Sequence, residues 1–196
     1  ERLCRRRSLE EAARAGWDKL VFLNMSPAAS QDSDFLEGRL VREVLELHLD
    51  PRQIVIEVTE RTYAENQELF TKVLGELRKE GFHVAVDDLG SGYSNLSALA
   101  EIRPEFLKFD HLFTKDIHRN RIKQDLLGAI LSFAMKMETQ VIAEGIESVD
   151  ELQALRRLGV PLGQGFYLGR PGPIPARAAC RPPRRAKGAV SARPGD

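Results

Sequence analysis

Short apolar runs alternate with amphipathic segments along most of this chain, and that alternation limits the folds it can form. Each run is apolar at consecutive positions, which is typical of parallel strands that are buried on both faces. Between the runs, residues such as Phe70, Val73, Leu74 and Leu77 keep helical spacing. The predicted strands are 20–23, 54–58, 82–86, 106–109, 140–143 and, more weakly, 161–167.

The amphipathic segments carry signals for where helices begin and end. Ser148 and Glu151 have the spacing of a capping box, and Gly81 and Gly159 stand where helices should stop before the next strand. This β–α rhythm predicts an α/β protein, either an open doubly wound sheet or a (β/α)₈ TIM-type barrel with about six of its eight units present. Further predicted helices contain Leu9, Ala12 and Ala13; Leu36, Leu40, Val44 and Leu47; and Ile122, Leu126, Ile130 and Met137.

Charge divides the chain into two parts although its formal net charge is zero. Residues 170–196 carry seven Arg or Lys and one acid, so the remainder is acidic. An acidic globular part argues against binding to a nucleic acid polymer, but it can bind an anionic ligand through metal ions. The basic segment also holds six of the ten prolines and has no apolar periodicity. We therefore predict a domain over 1–172 and a disordered tail over 173–196.

Cysteine and apolar content indicate a cytoplasmic protein. Cys4 and Cys180 have no metal-ligand spacing, and a reducing compartment explains them most simply. The longest apolar run, 128–135, is far too short to cross a membrane. Because the chain begins with Glu1, we expect it to be a piece of a longer protein, which could be membrane-anchored elsewhere.

Nearly every predicted strand ends in a polar or charged residue, which a buried strand should not tolerate. A buried carboxylate costs several kcal/mol unless it is paired or bound to a metal. In barrels and open α/β sheets, ligands bind where the parallel strands end. The pattern therefore predicts a site at that edge, formed by Asn24, Glu57, Asp87, Asp88, Lys108, Asp110, Glu144 and Gln164.

Each of these residues also has an ordinary structural interpretation. Asn24 could cap a loop, Glu57 could pair with a lysine, and Lys108 could extend to the surface. Glu144 and Glu147 could be acids favoured at the start of a helix. Their recurrence in register at successive strand ends favours a shared site.

The residue types in this set predict a hard metal ion. Amide and carboxylate oxygens suit Mg²⁺ or Mn²⁺ rather than zinc or copper. Asp87 and Asp88 are adjacent, so we expect the strand to end there, with Gly90 and Gly92 allowing a turn, if both are to reach one site. Histidines at 48, 83, 111 and 118 do not end a strand beside this set, and we expect them to be surface or packed residues.

Six segments, in order, resemble the successive signatures of the EAL domain family. They span about residues 10–172, and six motifs in sequence are far more specific than any one of them. The segments are Leu-Asn-Met-Ser (23–26), Ile-Glu-Val-Thr-Glu (56–60), Asp-Asp-Leu-Gly-Ser-Gly-Tyr-Ser (87–94), Leu-Lys-Phe-Asp (107–110), Ala-Glu-Gly-Ile-Glu (143–147) and Gln-Gly-Phe-Tyr (164–167).

The resemblance implies a (β/α)₈ barrel that hydrolyses cyclic-di-GMP to the linear dinucleotide with two Mg²⁺ or Mn²⁺ ions. It implies that Lys108 holds the attacking water and that Glu144 is a metal ligand or general base. Thr59 and Glu60 would steady the loop 88–94, which would also form a homodimer contact. The implied metal ligands are Asn24, Glu57, Asp87, Asp88 and Glu144, and the implied surrounding residues are Asp110, Glu147 and Gln164.

The chain also departs from the family pattern. The Glu-Ala-Leu signature and the Arg that follows it are absent, so we expect the first strands to lie upstream and the chain alone to hydrolyse slowly. A GGDEF or sensor domain is a further expected upstream partner. Two alternatives stay open: an inactive EAL module that binds cyclic-di-GMP or a protein partner as a regulator, and an unrelated barrel enzyme in which Lys108 forms a Schiff base.

Overall fold

A computed structural model describes residues 2–25, 38–59, 67–89 and 96–174, with the backbone alone at 96 and 97. The six strands are β1 (Val21–Asn24), β2 (Ile54–Thr59), β3 (His83–Leu89), β4 (Phe106–Phe109), β5 (Gln140–Ala143) and β6 (Leu162–Gly163). The helices are α1 (Arg2–Ala15), α2 (Arg39–Glu46), α3 (Gln67–Lys79), α4 (Leu96–Ile102), α5 (His111–Thr114), α6 (Arg121–Lys136) and α7 (Val149–Leu158). Two 3-10 turns cover Pro51–Gln53 and Ile117–Arg119.

The strands form one parallel sheet in the order β1-β2-β3-β4-β5-β6. A doubly wound sheet would reverse its strand order at a switch point, whereas sequential order in one direction is the winding of a barrel. The sheet curls into a half-barrel with helices outside, so the α/β barrel prediction is confirmed and the doubly wound alternative is wrong. Within the described residues, β1 and β6 each pair with a single strand.

Consecutive burial explains why the apolar runs become strands. Ile54, Val55, Ile56 and Val58 have no exposed surface, because one face of β2 packs on helices and the other lies inside the curl. The larger core lies between sheet and helices and includes Phe70 and Leu74 of α3. Five more residues form a smaller cluster on the inner face: Phe22, Val55, Ala85, Phe106 and Ile142.

Strand β3 differs from its prediction in a way that matters for the site. It does not end at Asp87 but continues to Leu89. Asp88 has a φ of +59°, and the pairing with β4 shifts register between Val86 and Leu89. The expected strand end at Asp87 is therefore wrong: the strand continues past both aspartates, with a bulge-type irregularity in its pairing there.

Helix α6 is present where predicted, but its buried face is partly different. Ile122 is 80% exposed and Leu126 43%, although both keep the spacing that predicted the helix. The buried positions are Leu127 and Ala134. Helical spacing identified the helix but not the face that packs on the sheet.

The predicted helix signals are observed at α7. Ser148 and Glu151 form the capping box, and Gly159 ends the helix with a φ of +86°. No helix in the described part of the chain is long and apolar enough to span a membrane. Several positions named in the sequence analysis lie outside the described residues: Leu36, Gly90, Gly92, Cys180 and the tail from 175 onward.

Candidate active site

The polar residues of the site lie next to the inner apolar cluster, two positions further along each strand. Side chains two residues apart on a strand share a face. Each residue of the inner cluster is therefore followed, two positions later, by a polar residue on the same face of the curled sheet. The pairs are Phe22 and Asn24, Val55 and Glu57, Ala85 and Asp87, Phe106 and Lys108, and Ile142 and Glu144.

Lys108 lies at the centre of this polar layer. Its Nζ is 2.7 Å from Glu57 Oε1, 2.8 Å from Glu144 Oε1 and 3.1 Å from Asp87 Oδ2. The Lys108 side chain is 7% exposed and that of Glu57 is 8% exposed. An ammonium group has three N–H donors, and each of them has a carboxylate partner.

One positive charge facing three carboxylates leaves this cluster with an excess of negative charge. Burial raises the pKa of Glu57 above its ordinary value, and the neighbouring Asp87 and Glu144 raise it further against the lowering effect of Lys108. Burial likewise raises the pKa of Glu144, with Asp87 and Asp88 adding to the rise. The cluster is therefore short of positive charge, which is the condition for binding a cation.

Lys108 is held in its charged form. Burial alone would lower its pKa, but the hydrogen bonds and charges of Glu144, Glu57 and Asp87 outweigh burial, so the pKa lies above its ordinary value. A Schiff-base lysine must lose its proton to attack a carbonyl. The observed surroundings therefore argue against the Schiff-base alternative.

Asp88 and Asp110 lie at the edge of the cluster. Asp88 is exposed as a residue. Partial burial of its carboxyl group nevertheless raises its pKa, and the charges of Asp87 and Asp110 raise it further. Asp110 caps helix α5 by accepting a hydrogen bond from the backbone N–H of Leu112 at 2.7 Å. Its helix-capping role explains why an acid follows β4, independently of any ligand.

The pairing register of the strands places Asn24 and Thr59 beside carboxylates of the site. Asn24 pairs with Glu57 across β1 and β2, and Thr59 pairs with Asp87 across β2 and β3. Asn24 is exposed and Thr59 half-buried. Both therefore lie at the same strand-end edge as the cluster around Lys108.

Backbone hydrogen bonds join Gln164 to the segment that carries Glu144. The N–H of Gln164 donates to the carbonyl of Ala143 at 2.8 Å, and the carbonyl of Gln164 accepts from Ile146 at 3.0 Å. The side chains of Gln164 and Glu147 are both exposed, so neither belongs to the buried part of the cluster. Glu60 and residues 90–94 of the predicted loop lie outside the described residues.

One residue beside the site had no clear signal in the sequence. The Nδ1 atom of His111 is 3.2 Å from Asp110 Oδ1. The backbone of Gly145 also passes so close to His111 that a Cβ on Gly145 would collide with the Cβ of His111. In the sequence, the one indication that His111 lies near the site is its position directly after Asp110. His48 is exposed and the ring of His83 packs edge-on against Phe106, as expected for surface and packed histidines.

Comparison with known proteins agrees with this geometry. The profile of the family described as "EAL domain" matches residues 2–171. The chain belongs to the EAL domain family. It is 39% identical over 157 residues to "Cyclic di-GMP phosphodiesterase PdeR" of Escherichia coli, covering 80% of this chain and 23% of that protein. It is 32% identical over 139 residues to "Probable cyclic di-GMP phosphodiesterase PdeA" of the same species, covering 71% of this chain and 19% of the relative.

Solved EAL structures share the fold. A manganese and cyclic-di-GMP complex of Klebsiella pneumoniae BlrP1 has a TM-score of 0.78 at 32% identity, covering 83% of this chain and 42% of that one. A standalone EAL protein from Vibrio cholerae, bound to cyclic-di-GMP, has a TM-score of 0.78 at 28% identity, covering 87% of this chain and 72% of that one. The EAL chain thus spans about a fifth of the curated relatives' length.

Proposed function

We propose that this EAL chain hydrolyses cyclic-di-GMP to the linear dinucleotide. The observation that carries the proposal is the convergence of Glu57, Asp87 and Glu144 on Lys108 at the carboxyl ends of the parallel strands. Relatives with this domain are named as cyclic-di-GMP phosphodiesterases, and related structures contain that ligand. An acidic site needs cations before it can accept a phosphodiester.

The donor set fits Mg²⁺ or Mn²⁺. Its ligands are all oxygens, its carboxylates are mostly buried, and Lys108 leaves their charge incompletely neutralised. Asn24, Glu57, Asp87, Asp88 and Glu144 would hold two such ions. When bound, the ions polarise the phosphodiester and lower the pKa of a coordinated water.

The residues of the chain position the reacting groups. Water attacks phosphorus, one bridging P–O bond breaks, and the products are a phosphate monoester and a hydroxyl. Glu144 is suited to accept the proton of water, because its carboxylate lies beside Lys108 in the polar layer and its side chain is still 19% exposed. Lys108 orients that water after releasing one of its three carboxylates.

Surrounding residues support this arrangement. Thr59 and Glu60 would steady the loop 88–94, and Asp110, Glu147 and Gln164 would complete the rim around the ligand. We extend the proposal to a homodimer that uses the 88–94 region and to a GGDEF or sensor domain in the parent protein. The proposed location is cytoplasmic, in keeping with an exposed free Cys4.

The test is release of the linear dinucleotide from cyclic-di-GMP by the purified chain with Mn²⁺ or Mg²⁺, alongside calorimetric binding of the nucleotide. We expect Glu57→Ala and Asp87→Ala each to abolish turnover, and excess EDTA to do the same, because each removes ligands or ions that the chemistry requires. Full activity in EDTA would refute the metal-dependent mechanism.

A matched control is Glu105→Gln, which alters a carboxylate at the opposite end of the same sheet. Glu105 bonds Arg78 and the N–H of Val84, so its role is structural. We expect this variant to keep the parent rate. Tight nucleotide binding by a folded chain without any turnover would instead favour the regulatory EAL module.

A further inference from the structure

A second cluster of metal-ligating side chains lies outside the catalytic group. One ligand atom each from Asp116, His118 and Glu151 lies within 4.8 Å of the other two. Asp116 is exposed, His118 half-buried and Glu151 buried. His118 lies in the 3-10 turn after α5, Asp116 directly precedes that turn, and Glu151 lies in the first turn of α7.

Glu151 is fixed as a charged carboxylate with room for a ligand. Burial would raise its pKa, but hydrogen bonds from the backbone N–H groups of Asp116, Glu147 and Ser148 outweigh this and lower it. Its Oε2 accepts two of these bonds, from Glu147 and Ser148, each at 3.0 Å. Its Oε1 accepts the bond from Asp116, also at 3.0 Å, and a carboxylate oxygen has a second lone pair that can face an ion.

His118 supplies an independent observation. Its Nδ1 atom is buried and has no hydrogen-bond partner among the described residues. Such buried polar atoms are uncommon, and each needs an explanation. Coordination of a metal through Nδ1 would satisfy this atom and fix the tautomer of the ring.

The Asp116 side chain does not cap the turn that it precedes. The residue stands at the start of the 3-10 turn but makes no side-chain capping bond there. Its φ of +57° is held by the bond from its N–H to Glu151. As an exposed side chain it can rotate to bring its carboxylate within ligand distance of an ion placed between the other two.

We propose that Asp116, His118 and Glu151 bind a divalent transition-metal ion, with Zn²⁺ as the reference ion. One imidazole nitrogen with two carboxylate oxygens is a donor set for zinc and its neighbours, whereas the all-oxygen catalytic cluster suits Mg²⁺ and Mn²⁺. The ion joins the 3-10 turn to the start of α7, where Glu147 also bonds Glu151. It therefore acts as a structural brace on the segment that follows Glu144.

The decisive measurement follows the imidazole nitrogens of the ¹⁵N-labelled chain by NMR while ZnCl₂ is added. The catalytic carboxylate cluster contains no imidazole, so binding there does not produce a direct coordination shift. With the four histidines assigned by single substitutions, we expect one ring nitrogen of His118 to shift on saturation. His118 resonances that stay unmoved at saturating Zn²⁺ would overturn the proposal.

Equilibrium dialysis of the full chain supplies a second test. His118→Asn should bind one Zn²⁺ fewer than the parent, and Asp116→Asn should weaken that site about tenfold or more. Asparagine tolerates positive φ, so Asp116→Asn keeps the backbone even if His118→Asn folds poorly. The control is His48→Asn, at an exposed histidine that also has a φ of +57°, and it should bind as the parent does. Equal zinc binding by all four proteins would contradict the site.

Discussion

At the residue scale, the site is dominated by one lysine that neutralises only part of a carboxylate cluster. Lys108 pairs with three carboxylates, and its side chain is 7% exposed. Because burial raises the pKa of Glu57 and Glu144, their ionised forms destabilise the fold as the pH rises through the raised values. The same unfavourable charge balance that weakens the fold prepares the site for cations.

Replacement of Lys108 should expose this imbalance. Lys108→Met removes the ammonium group that contacts all three carboxylates, and leaving buried charge unpaired costs about 3–5 kcal/mol. We expect the free energy of unfolding, measured by urea titration in EDTA, to fall by about that amount. Added Mg²⁺ should restore part of it.

The control is Lys79→Met, which breaks an exposed ion pair with Glu76 on α3. Its stability should match the parent, because exposed pairs contribute little. A Lys108→Met variant as stable as this control in EDTA would show that the cluster does not depend on the lysine charge.

Glu151 should make stability depend on pH in the opposite direction. Its pKa is lowered in the folded state, so its ionisation stabilises the fold above the ordinary carboxyl pKa, near 4.3. That contribution is lost as the pH falls through the lowered value. In metal-free buffer, Glu151→Gln should be less stable than the parent at pH 7, and the difference should shrink below about pH 4. Denaturant titrations at several pH values measure this difference in stability. A difference that stayed constant with pH would contradict a lowered pKa for Glu151.

At the element scale, short connections after the strands position the site. The segment after β5 carries both Glu144 and Glu147, and Gly145 between them has a φ of +67°. A side chain there is disfavoured by backbone conformation and by the close approach of His111. Neighbouring Gln164 is held to the same segment by its bonds to Ala143 and Ile146.

Gly145→Ala should therefore displace Glu144 from Lys108. We expect turnover of cyclic-di-GMP to fall at least tenfold and the melting temperature to drop, because the added methyl meets Cβ of His111 and the left-handed φ disfavours alanine. Thermal unfolding and the dinucleotide assay measure the two effects.

The comparison variant is Gly128→Ala in the middle of α6, where an added Cβ meets nothing within 4 Å. Alanine is the better helix former by roughly 1 kcal/mol, so this variant should be slightly stabilised and fully active. If both glycine substitutions behaved alike, the close approach at Gly145 would not be what positions Glu144.

At the scale of the whole molecule, the two faces of the curled sheet have different roles: the outer face packs against the helices, and the inner face carries the polar site. The larger apolar core lies between the sheet and helices, while the inner face holds only a small cluster beneath the polar layer. Stability comes mainly from the outer layer, because most buried apolar side chains lie there. The strand ends can therefore carry charged residues that a packed core would exclude.

The basic C-terminal segment should contribute nothing to this architecture. Cutting the chain after Pro173 should leave the melting temperature unchanged, because the segment has no apolar periodicity and its prolines oppose regular structure. Differential scanning calorimetry of the full and shortened chains measures the difference. A drop of more than a few degrees would show that the tail packs on the domain.

The sequence by itself determined the strands and the composition of the catalytic edge. Consecutive apolar runs are a local signal, and residues such as Glu57 and Lys108 stand out because they interrupt or end such runs. The tertiary structure decided everything that depends on distant partners. The sequential strand order, the bulge at Asp88 and the convergence of three strands on Lys108 arise from pairing between segments far apart in the chain. So does the meeting of Asp116 and His118 with Glu151, since no periodicity links a 3-10 turn to the start of a later helix.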